Sequence, residues 1–367
     1  MKKVDLIVWD EVVMCDRNCL EAVDRTLHDL RNNQYRFGGA TTLFSGDYRQ
    51  LLPIIPGGSR GQIVNATFNR SPLQNWVRKL VLDENMRLMK LMQDPNADEA
   101  ALQYPNWLLE LGAGHHNRGG NKEVEIPSSI NIRNNIRGLC KDVYEGIEQH
   151  RRDDEWMTSR GILTTRNASL CEINKVVGER IPGTLRRYLS ADSVDVEYGE
   201  MHNYSIEFLN SIPGDASLPD NELEVKVGYP VMLLRNLDTK NGHVNGARYI
   251  VERSTGNLLF LRLACGKHKG NKLALPRVPC SAGREDFGIP GFKRVQFPVR
   301  VCFAMTINKA QGQTFGSKVG IDVVPECFSH GQLYVALSRA THPNLIYLRK
   351  TDLGRKTINV VLREVIG

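Results

Sequence analysis

The chain contains two short apolar stretches near its amino terminus, each ending in acidic or polar residues, and this pattern constrains the fold most strongly. Leu6–Trp9 runs directly into Asp10-Glu11, and Thr41–Phe44 runs into Ser45-Gly46-Asp47. The first stretch has the pattern of a strand that is buried on both faces. Asp16 can cap an amphipathic helix between the two stretches. Strand, helix and strand in this order predict a parallel α/β sheet, whose ligands bind beyond the carboxyl ends of the strands.

The pattern of the chain changes twice after this region. A strand is predicted at residues 161–165, and Asn167 can open the helix that follows it. Between residues 190 and 296, short β-rich runs separated by turn residues predict a small β-rich, barrel-like insertion. After residue 297 strands and helices alternate again, which continues the α/β pattern.

Composition limits the class of protein without identifying it. The 367 residues are 41% hydrophobic and 24% charged, as in ordinary globular proteins of two or three domains. The formal charge of +7 permits a polyanionic partner but does not show one. Eight cysteines in a chain of this length are expected to be reduced thiols of an intracellular protein. There is neither a secretory signal nor an apolar run of ~18 residues, so no membrane partner is expected.

The acidic pair at the end of the first predicted strand suits metal-assisted phosphoryl chemistry. Asp10 can hold Mg²⁺ and Glu11 can orient an attacking water, although the same pair also occurs after strands with no such role. Gly46 allows a tight exit from the second strand. Gln50 offers a neutral amide to a water or a γ-phosphate, or belongs to a solvated polar loop.

Two arginines and one further loop are candidate phosphate contacts. The planar guanidinium groups of Arg87 and Arg339 suit the spread charge of a phosphoryl-transfer transition state, but most arginines are surface residues. The stretch 305–314 follows a strand and offers hydroxyl, amide and ammonium donors. The alternative for this stretch is a glycine-containing turn before a helix.

The order of these motifs along the chain is more specific than any one of them. Together they resemble the petite-integration-frequency (PIF-type) family of DNA helicases, and in particular the helicase portion of Helitron-type transposons. The stretches that carry the resemblance are residues 6–11, 44–53, 62–67, 84–88, 162–167, 228–238, 306–314 and 334–341.

The resemblance implies an α/β fold of the P-loop NTPase type. Tandem RecA-like domains, the first of them incomplete, would form a cleft for ATP and a track for single-stranded DNA. Residues 1–118 would be the carboxyl-terminal part of the first domain, and residues 119–195 plus 295–367 the second. Residues 196–294 would be a small barrel inserted in the second domain.

The resemblance also implies roles for individual residues. Asp10 resembles the Mg²⁺ carboxylate, Glu11 the base that orients water, and Gln50 the γ-phosphate sensor. The other matches are Gly46 and Asp47 in the nucleotide-binding stretch, Arg87 and Arg339 as the arginines that reach the phosphates (Arg339 from the second domain), Gln311 and Gly312 in the loop that joins the nucleotide site to DNA, and Thr164, Asn167, Thr306 and Lys309 on the DNA side.

The implied activity is ATP-dependent, 5′-to-3′ DNA unwinding coupled to translocation on single-stranded DNA. ATP and Mg²⁺ would be the cofactors, and single-stranded DNA and duplex junctions the partners of a monomeric, nuclear protein. The setting would be DNA repair, recombination, telomere maintenance or Helitron transposition.

One departure from the family concerns the phosphate-binding loop. The sequence has no Gly-Lys-Ser/Thr, and its Gly266-Lys267 pair is followed by His268. An amino-terminally truncated helicase is therefore expected. The alternative is a transposon-derived remnant that binds single-stranded DNA without hydrolysing ATP.

Overall fold

The computed structural model of the protein describes residues 1–93, 98–117, 122–195, 204–214, 217–281, 289 and 291–366, with the side chains of Arg87 and Lys90 excepted. The α-helices of these residues are α1 (Arg17–Arg31), α2 (Arg60–Ala66), α3 (Met86–Met92), α4 (Glu99–Ala113), α5 (Ile136–Val143), α6 (Ile147–His150), α7 (Asp154–Thr158), α8 (Ala168–Arg180), α9 (Ile206–Ser211), α10 (Gln332–Leu337) and α11 (Arg363–Ile366).

The strands of the described residues are β1 (Leu6–Trp9), β2 (Thr41–Phe44), β3 (Glu123–Glu125), β4 (Asn131–Arg133), β5 (Gly161–Thr164), β6 (Arg186–Leu189), β7 (Ala191–Val194), β8 (Glu222–Val225), β9 (Pro230–Leu233), β10 (Arg248–Ser254), β11 (Leu258–Leu263), β12 (Lys272–Pro276), β13 (Val278–Ser281), β14 (Phe292–Gln296), β15 (Val299–Val301), β16 (Ala304–Thr306), β17 (Val319–Asp322), β18 (Ile346–Arg349) and β19 (Lys356–Ile358).

Two compact units make up the chain. The first contains Met1–Ile132, Val323–Ile346 and Leu353–Gly367, and the second contains Arg133–Asp322 and Tyr347–Asp352. The domain boundaries predicted at residues 118, 195 and 294 are not tested by this division and stay predictions. Within the described part of the chain, every helix falls short of the combined length and apolar character needed to cross a bilayer.

The first unit begins with the predicted parallel strand pair. β1 and β2 run in register from Leu6 opposite Thr41 to Trp9 opposite Phe44. One face of the pair packs on a buried cluster that includes Val13, Leu20 and Phe68. Helix α1 contributes Leu20 to this cluster and is capped by the Asp16 side chain, which accepts a hydrogen bond from the Asn18 N–H at 2.8 Å.

The opposite face of the strand pair corrects one prediction. Leu6, Val8 and Leu43 are 56%, 61% and 51% exposed, so the expectation that the first strand is buried on both faces is wrong. The strand itself is confirmed. The difference arises because the packing partners of β1 among the described residues lie on one side only, where Ile7, Trp9 and Phe44 contact the cluster.

Helix α4 supports α10 in the first unit. α4 is capped by Asp98 at its start and by Gly114 after its last residue, and the Gly114 φ of 77° lies in the left-handed region that favours glycine. The Tyr104 hydroxyl of α4 donates a hydrogen bond to the Leu337 carbonyl at 2.9 Å, and every residue of α10 is buried.

The second unit contains the other parallel strands. β5 lies between β16 and β17, with Thr164 opposite both Thr306 and Asp322. The carboxyl ends of these three strands therefore meet at one edge. Helix α8 begins directly beyond that edge, after Asn167.

The predicted β-rich segment is present in the second unit as antiparallel strands. One sheet has the order β12-β11-β10-β9-β15, a second has the order β13-β14-β7, and β6 pairs with β8. β10 and β11 form a hairpin that turns at residues 255–257. Arg294 on β14 and Asp192 on β7 form an ion pair whose side chains are both fully buried.

Candidate functional site

The acidic pair lies at the carboxyl end of β1, beside the end of β2. The Ser45 hydroxyl donates a hydrogen bond to Asp10 Oδ1 at 2.5 Å, and the Glu11 N–H donates to the same oxygen at 3.0 Å. Glu11 has a φ of 53°, in the left-handed region that non-glycine residues rarely adopt. The Val12 N–H donates to the Ser45 carbonyl at 2.9 Å, which ties the two strand ends together. The orientation of the Asp10 carboxylate is thus fixed by the neighbouring strand.

The Glu11 carboxyl has a raised pKa. Burial raises its pKa above the ordinary value, and the negative charges of Asp10 and Asp47 raise it further, against the lowering effect of the Arg339 guanidinium. Its Oε2 atom is buried and has no hydrogen-bond partner. An unsatisfied buried carboxylate oxygen is rare in folded proteins and marks a place where a water or a cation can bind.

This arrangement fits the magnesium ion that the resemblance implies. Mg²⁺ binds oxygen, usually through one or two carboxylates together with waters and substrate phosphates. The hydrogen bonds to Asp10 go to Oδ1, and Glu11 adds the unsatisfied Oε2. These two carboxylates supply the kind of donor set that the ion requires.

The loop that follows β2 is held tightly at both ends. A Cβ at Gly46 would lie 2.9 Å from Val13 Cγ1, so a larger residue has no room. Asp47 Oδ1 accepts a hydrogen bond from the Arg49 N–H at 3.0 Å, and the Gln50 N–H donates to the Asp47 carbonyl at 2.9 Å. Asp47 therefore organises the loop, and Gln50 is half-buried within it.

Arg339 directly follows α10 in the same unit as the acidic pair. Its Nε donates to the Val335 carbonyl at 3.0 Å and one of its terminal nitrogens donates to Ser338 Oγ at 2.8 Å. Only 7% of Arg339 is exposed, and its charge acts on Glu11. Arg339 lies in the first unit, which contains residues 1–132 and 323–346. Its assignment to a second RecA-like domain stays a prediction. The other predicted arginine, Arg87, lies on α3, and its side chain is outside the described part of the structure.

Two functional contacts were missed at the sequence level. The Tyr334 hydroxyl donates a hydrogen bond to Asp47 Oδ2 at 3.0 Å. His330 lies with Nε2 2.7 Å from the Tyr48 carbonyl, and its Nδ1 accepts the Leu362 N–H at 2.8 Å. The sequence signal was the His330-Gly331 pair directly before a helical apolar run, but Tyr48 and Asp47 lie 282 and 287 positions away from His330 and Tyr334.

The predicted DNA-side residues lie in the second unit. Thr164 and Thr306 are paired at the ends of β5 and β16, and the Thr164 hydroxyl donates to the Arg166 carbonyl at 2.9 Å. Asn167 is exposed at the start of α8, where its side chain makes no capping bond. Lys309 lies in the short 3-10 helix Ile307–Ala310, which directly follows β16. These four residues therefore gather at one sheet edge, and their role in binding DNA stays a prediction.

The loop expected to join the two sites also follows β16. Gln311 is half-buried, and Gly312 is exposed with a φ of 74° and no atom within 4 Å of where its Cβ would be. The left-handed backbone rather than packing explains glycine at this position.

Comparison with known protein families gives two matches within the chain. The family described as PIF1-like helicase matches residues 1–122. The family described as DNA helicase Pif1, 2B domain, matches residues 207–253, within the β-rich part of the second unit.

Curated relatives match over nearly the whole chain. The ATP-dependent DNA helicase PIF1 of Danio rerio is 29% identical over 365 residues, covering 96% of this chain and 47% of the relative. The ATP-dependent DNA helicase RRM3 of Saccharomyces cerevisiae is 23% identical over 390 residues, covering 98% of this chain and 53% of the relative. The chain thus spans about half the length of the curated relatives it matches.

Solved structures share the fold. The crystal structure of the Pif1 helicase from Candida albicans has a TM-score of 0.65 at 22% identity, covering 99% of this chain and 74% of that one. The Pif1 helicase from Bacteroides in complex with ADP-AlF3 and single-stranded DNA has a TM-score of 0.61 at 21% identity, with the same coverage. These likenesses confirm the predicted α/β fold with RecA-like domains. Over residues 1–122 the chain matches the family of PIF1-like helicases, and over nearly its whole length it is similar to the curated helicases PIF1 and RRM3.

Proposed function

We propose that this chain is part of an ATP-dependent DNA helicase that moves 5′ to 3′ along single-stranded DNA. The observation that carries the proposal is the grouping of Asp10, Glu11 and Arg339 in one unit, where a buried guanidinium acts on an unsatisfied carboxylate. Phosphoryl transfer uses carboxylates to hold a metal ion and to orient water. It uses an arginine to stabilise the charge that develops on the phosphate oxygens in the transition state.

Each residue of the site then has a defined part in ATP hydrolysis. Asp10 would hold Mg²⁺, and the ion would neutralise charge on the phosphate oxygens. Glu11 orients the attacking water, and its raised pKa brings it closer to the range in which a general base works well. Gln50 contacts the γ-phosphate through its amide, with Gly46 and Asp47 shaping its loop. Arg339, together with Arg87, stabilises the charge that develops in the transition state.

The edge of the second unit that carries Thr164, Asn167, Thr306 and Lys309 contacts the DNA strand. Gln311 and Gly312 follow the same edge and have the nucleotide-related role that the resemblance implies. Hydroxyl, amide and ammonium groups at the ends of parallel strands are suited to phosphate contacts that are independent of sequence. A related solved structure, from Bacteroides, contains single-stranded DNA, which supports this assignment. Replacing Lys309 by alanine should weaken strand binding and reduce the salt dependence by about 0.7 in log–log slope.

The cellular setting follows from the resemblance and the relatives. A nuclear, monomeric enzyme acting at duplex junctions in repair, recombination or telomere maintenance is consistent with the helicases PIF1 and RRM3 among the relatives. Helitron transposition is the other setting that the sequence motifs support.

The test is ATP hydrolysis by the purified chain with and without single-stranded DNA. DNA-stimulated hydrolysis would support the proposal, and Arg339→Ala should then lower kcat by about 10³-fold, the effect typical of a phosphate-contacting arginine. Arg152→Ala is the matched control, because Arg152 is exposed in the second unit and should leave the rate unchanged.

Two results would count against the proposal. An Arg339→Ala rate equal to that of the unsubstituted chain would remove the arginine from the mechanism. Strand binding that weakens with salt, but with no hydrolysis under any condition, would instead favour the DNA-binding remnant.

A further inference from the structure

The loop Asp47–Gln50, called here the 47–50 loop, is gripped by the segment that precedes and begins α10. The Tyr334 hydroxyl donates to Asp47 Oδ2 at 3.0 Å, while the other oxygen of the same carboxylate accepts the Arg49 N–H at 3.0 Å. Asp47 thus connects the helix to the backbone of the loop. A hydrogen bond that involves a charged carboxylate is stronger than one between neutral groups.

His330 grips the same loop at a second point. Its Nδ1 accepts the Leu362 N–H at 2.8 Å, so the proton is on Nε2, which donates to the Tyr48 carbonyl at 2.7 Å. Only 2% of His330 is exposed, and burial lowers its pKa below the ordinary value. A neutral histidine with both nitrogens engaged joins the loop to the segment at residues 360–362 in one fixed orientation.

Between these two side chains, the backbone itself lies against the loop. Gly331 has a φ of 70°, and a Cβ at this position would lie 2.4 Å from the Arg49 carbonyl oxygen and 2.7 Å from the Gln50 carbonyl group. Only glycine allows so close an approach of two backbone segments. Three separate contacts, made by His330, Gly331 and Tyr334, therefore hold the 47–50 loop.

The same helix carries the arginine of the proposed site. α10 begins at Gln332, contains Tyr334 and ends at Leu337, two residues before Arg339. Arg339 bonds back to the Val335 carbonyl and acts on Glu11. A short, fully buried helix thus links the loop that bears Gln50 to the guanidinium near the acidic pair.

We infer that Tyr334 and His330 are positioning residues that fix the distance between Gln50 and Arg339, so that both reach one γ-phosphate together. This inference rests on the proposed function, because it concerns the same nucleotide site. Neither residue contacts the nucleotide in this scheme; each acts through the 47–50 loop. Loss of the grip would leave Arg339 in place while Gln50 moved independently.

The test compares Tyr334→Phe with Tyr104→Phe. Both changes remove one hydroxyl that bonds to or from the same helix, but only Tyr334 contacts the 47–50 loop. Amide exchange measured by mass spectrometry on peptides spanning residues 47–52 should be about tenfold faster in Tyr334→Phe, given the strength of hydrogen bonds to charged groups. Tyr104→Phe should leave the loop as in the unsubstituted chain.

A second readout separates positioning from simple support of the fold. Affinities for fluorescent ATP and ADP, each with Mg²⁺, should show that Tyr334→Phe reduces the preference for ATP by about tenfold, through loss of the γ-phosphate contact, with ADP affinity unchanged. For His330, glutamine keeps a donor for the Tyr48 carbonyl, so His330→Gln should retain more of the preference than His330→Ala.

The outcomes are distinguishable. Equal loop exchange in the two tyrosine variants overturns the inference. A loosened loop with an unchanged ATP preference reduces both residues to structural supports and overturns it also. If the unsubstituted chain binds neither nucleotide, the proposed function fails, and the exchange result alone then decides whether the grip on the loop exists.

Discussion

Arg294 provides a sharp test of how the β-rich part of the second unit is held together. Its guanidinium contacts Asp192 through Nε and one terminal nitrogen, with the closest approach at 2.6 Å. It also donates to the carbonyls of Ile212, Pro219 and Leu209 at 3.0–3.1 Å. Arg294→Leu would therefore leave one buried carboxylate and three buried carbonyls without these donors.

The expected loss of stability follows from the buried groups that Arg294→Leu leaves without a partner. Breaking a buried ion pair by removing one partner costs roughly 3–5 kcal/mol, because the other charge stays buried and unpaired. The Ser190 hydroxyl still donates to Asp192 at 2.6 Å, which offsets part of the cost. The three carbonyls add to the cost where water cannot reach them. We expect Arg294→Leu to lower the free energy of unfolding of this region by about 4 kcal/mol.

The assay is urea-dependent amide exchange of peptides that contain β7 and β14, which reports this region rather than the whole chain. Arg187→Leu is the matched control: Arg187 is an arginine on a neighbouring strand, 62% exposed at its side chain and paired with Glu222 at 2.6 Å. Such exposed pairs contribute about 1 kcal/mol or less. A double change, Asp192→Leu with Arg294→Leu, should recover much of the loss. A loss below about 1 kcal/mol for Arg294→Leu alone would show that the pair does not hold this region together.

Three further predictions concern the first unit. Gly331→Ala should lower the melting temperature more than Gly246→Ala, because both have a positive φ but only Gly331 faces backbone within 3 Å; equal losses would mean that the close approach is absent. Stability should fall as the pH drops below about 6.5, because burial lowers the pKa of His330 in the folded chain and the unfolded chain therefore binds the proton more readily. His330→Gln should remove this component of the pH dependence. The charged groups that act on His330 are Asp47, Arg60 and Glu364. Glu11→Gln should raise the melting temperature at pH 7 while abolishing ATP hydrolysis, since burial and neighbouring charge raise the pKa of Glu11 and penalise its ionised form; a lower melting temperature would contradict this account.

Local features of the fold were readable from the sequence because short-range chemistry determines them. The Asp16 cap, the apolar run of β1 and the turn between β10 and β11 each depend on neighbouring residues. Grouping Asp10-Glu11 with the loop after β2 was equally predictable, since the carboxyl ends of adjacent parallel strands meet at one edge.

Contacts between distant segments were not readable in this way. His330 meets Tyr48 across 282 positions of sequence, and Tyr334 meets Asp47 across 287. An apolar run such as that of α10 can predict a helix, but it does not say which surface a buried helix will face. The same limit applies to β1, whose apolar composition predicted two covered faces, whereas Leu6 and Val8 remain exposed.

The exposed face of β1 and β2 bears on how the purified protein behaves. Leu6, Val8 and Leu43 place three aliphatic side chains next to one another in water on the two-stranded pair of β1 and β2. Covering any of these side chains with another surface removes it from water, which is favourable. Dilution disfavours such encounters and concentration favours them, so a monomer seen at one protein concentration need not persist at another. Oligomeric state is therefore best measured across a concentration series, with Val8→Thr as the companion sample.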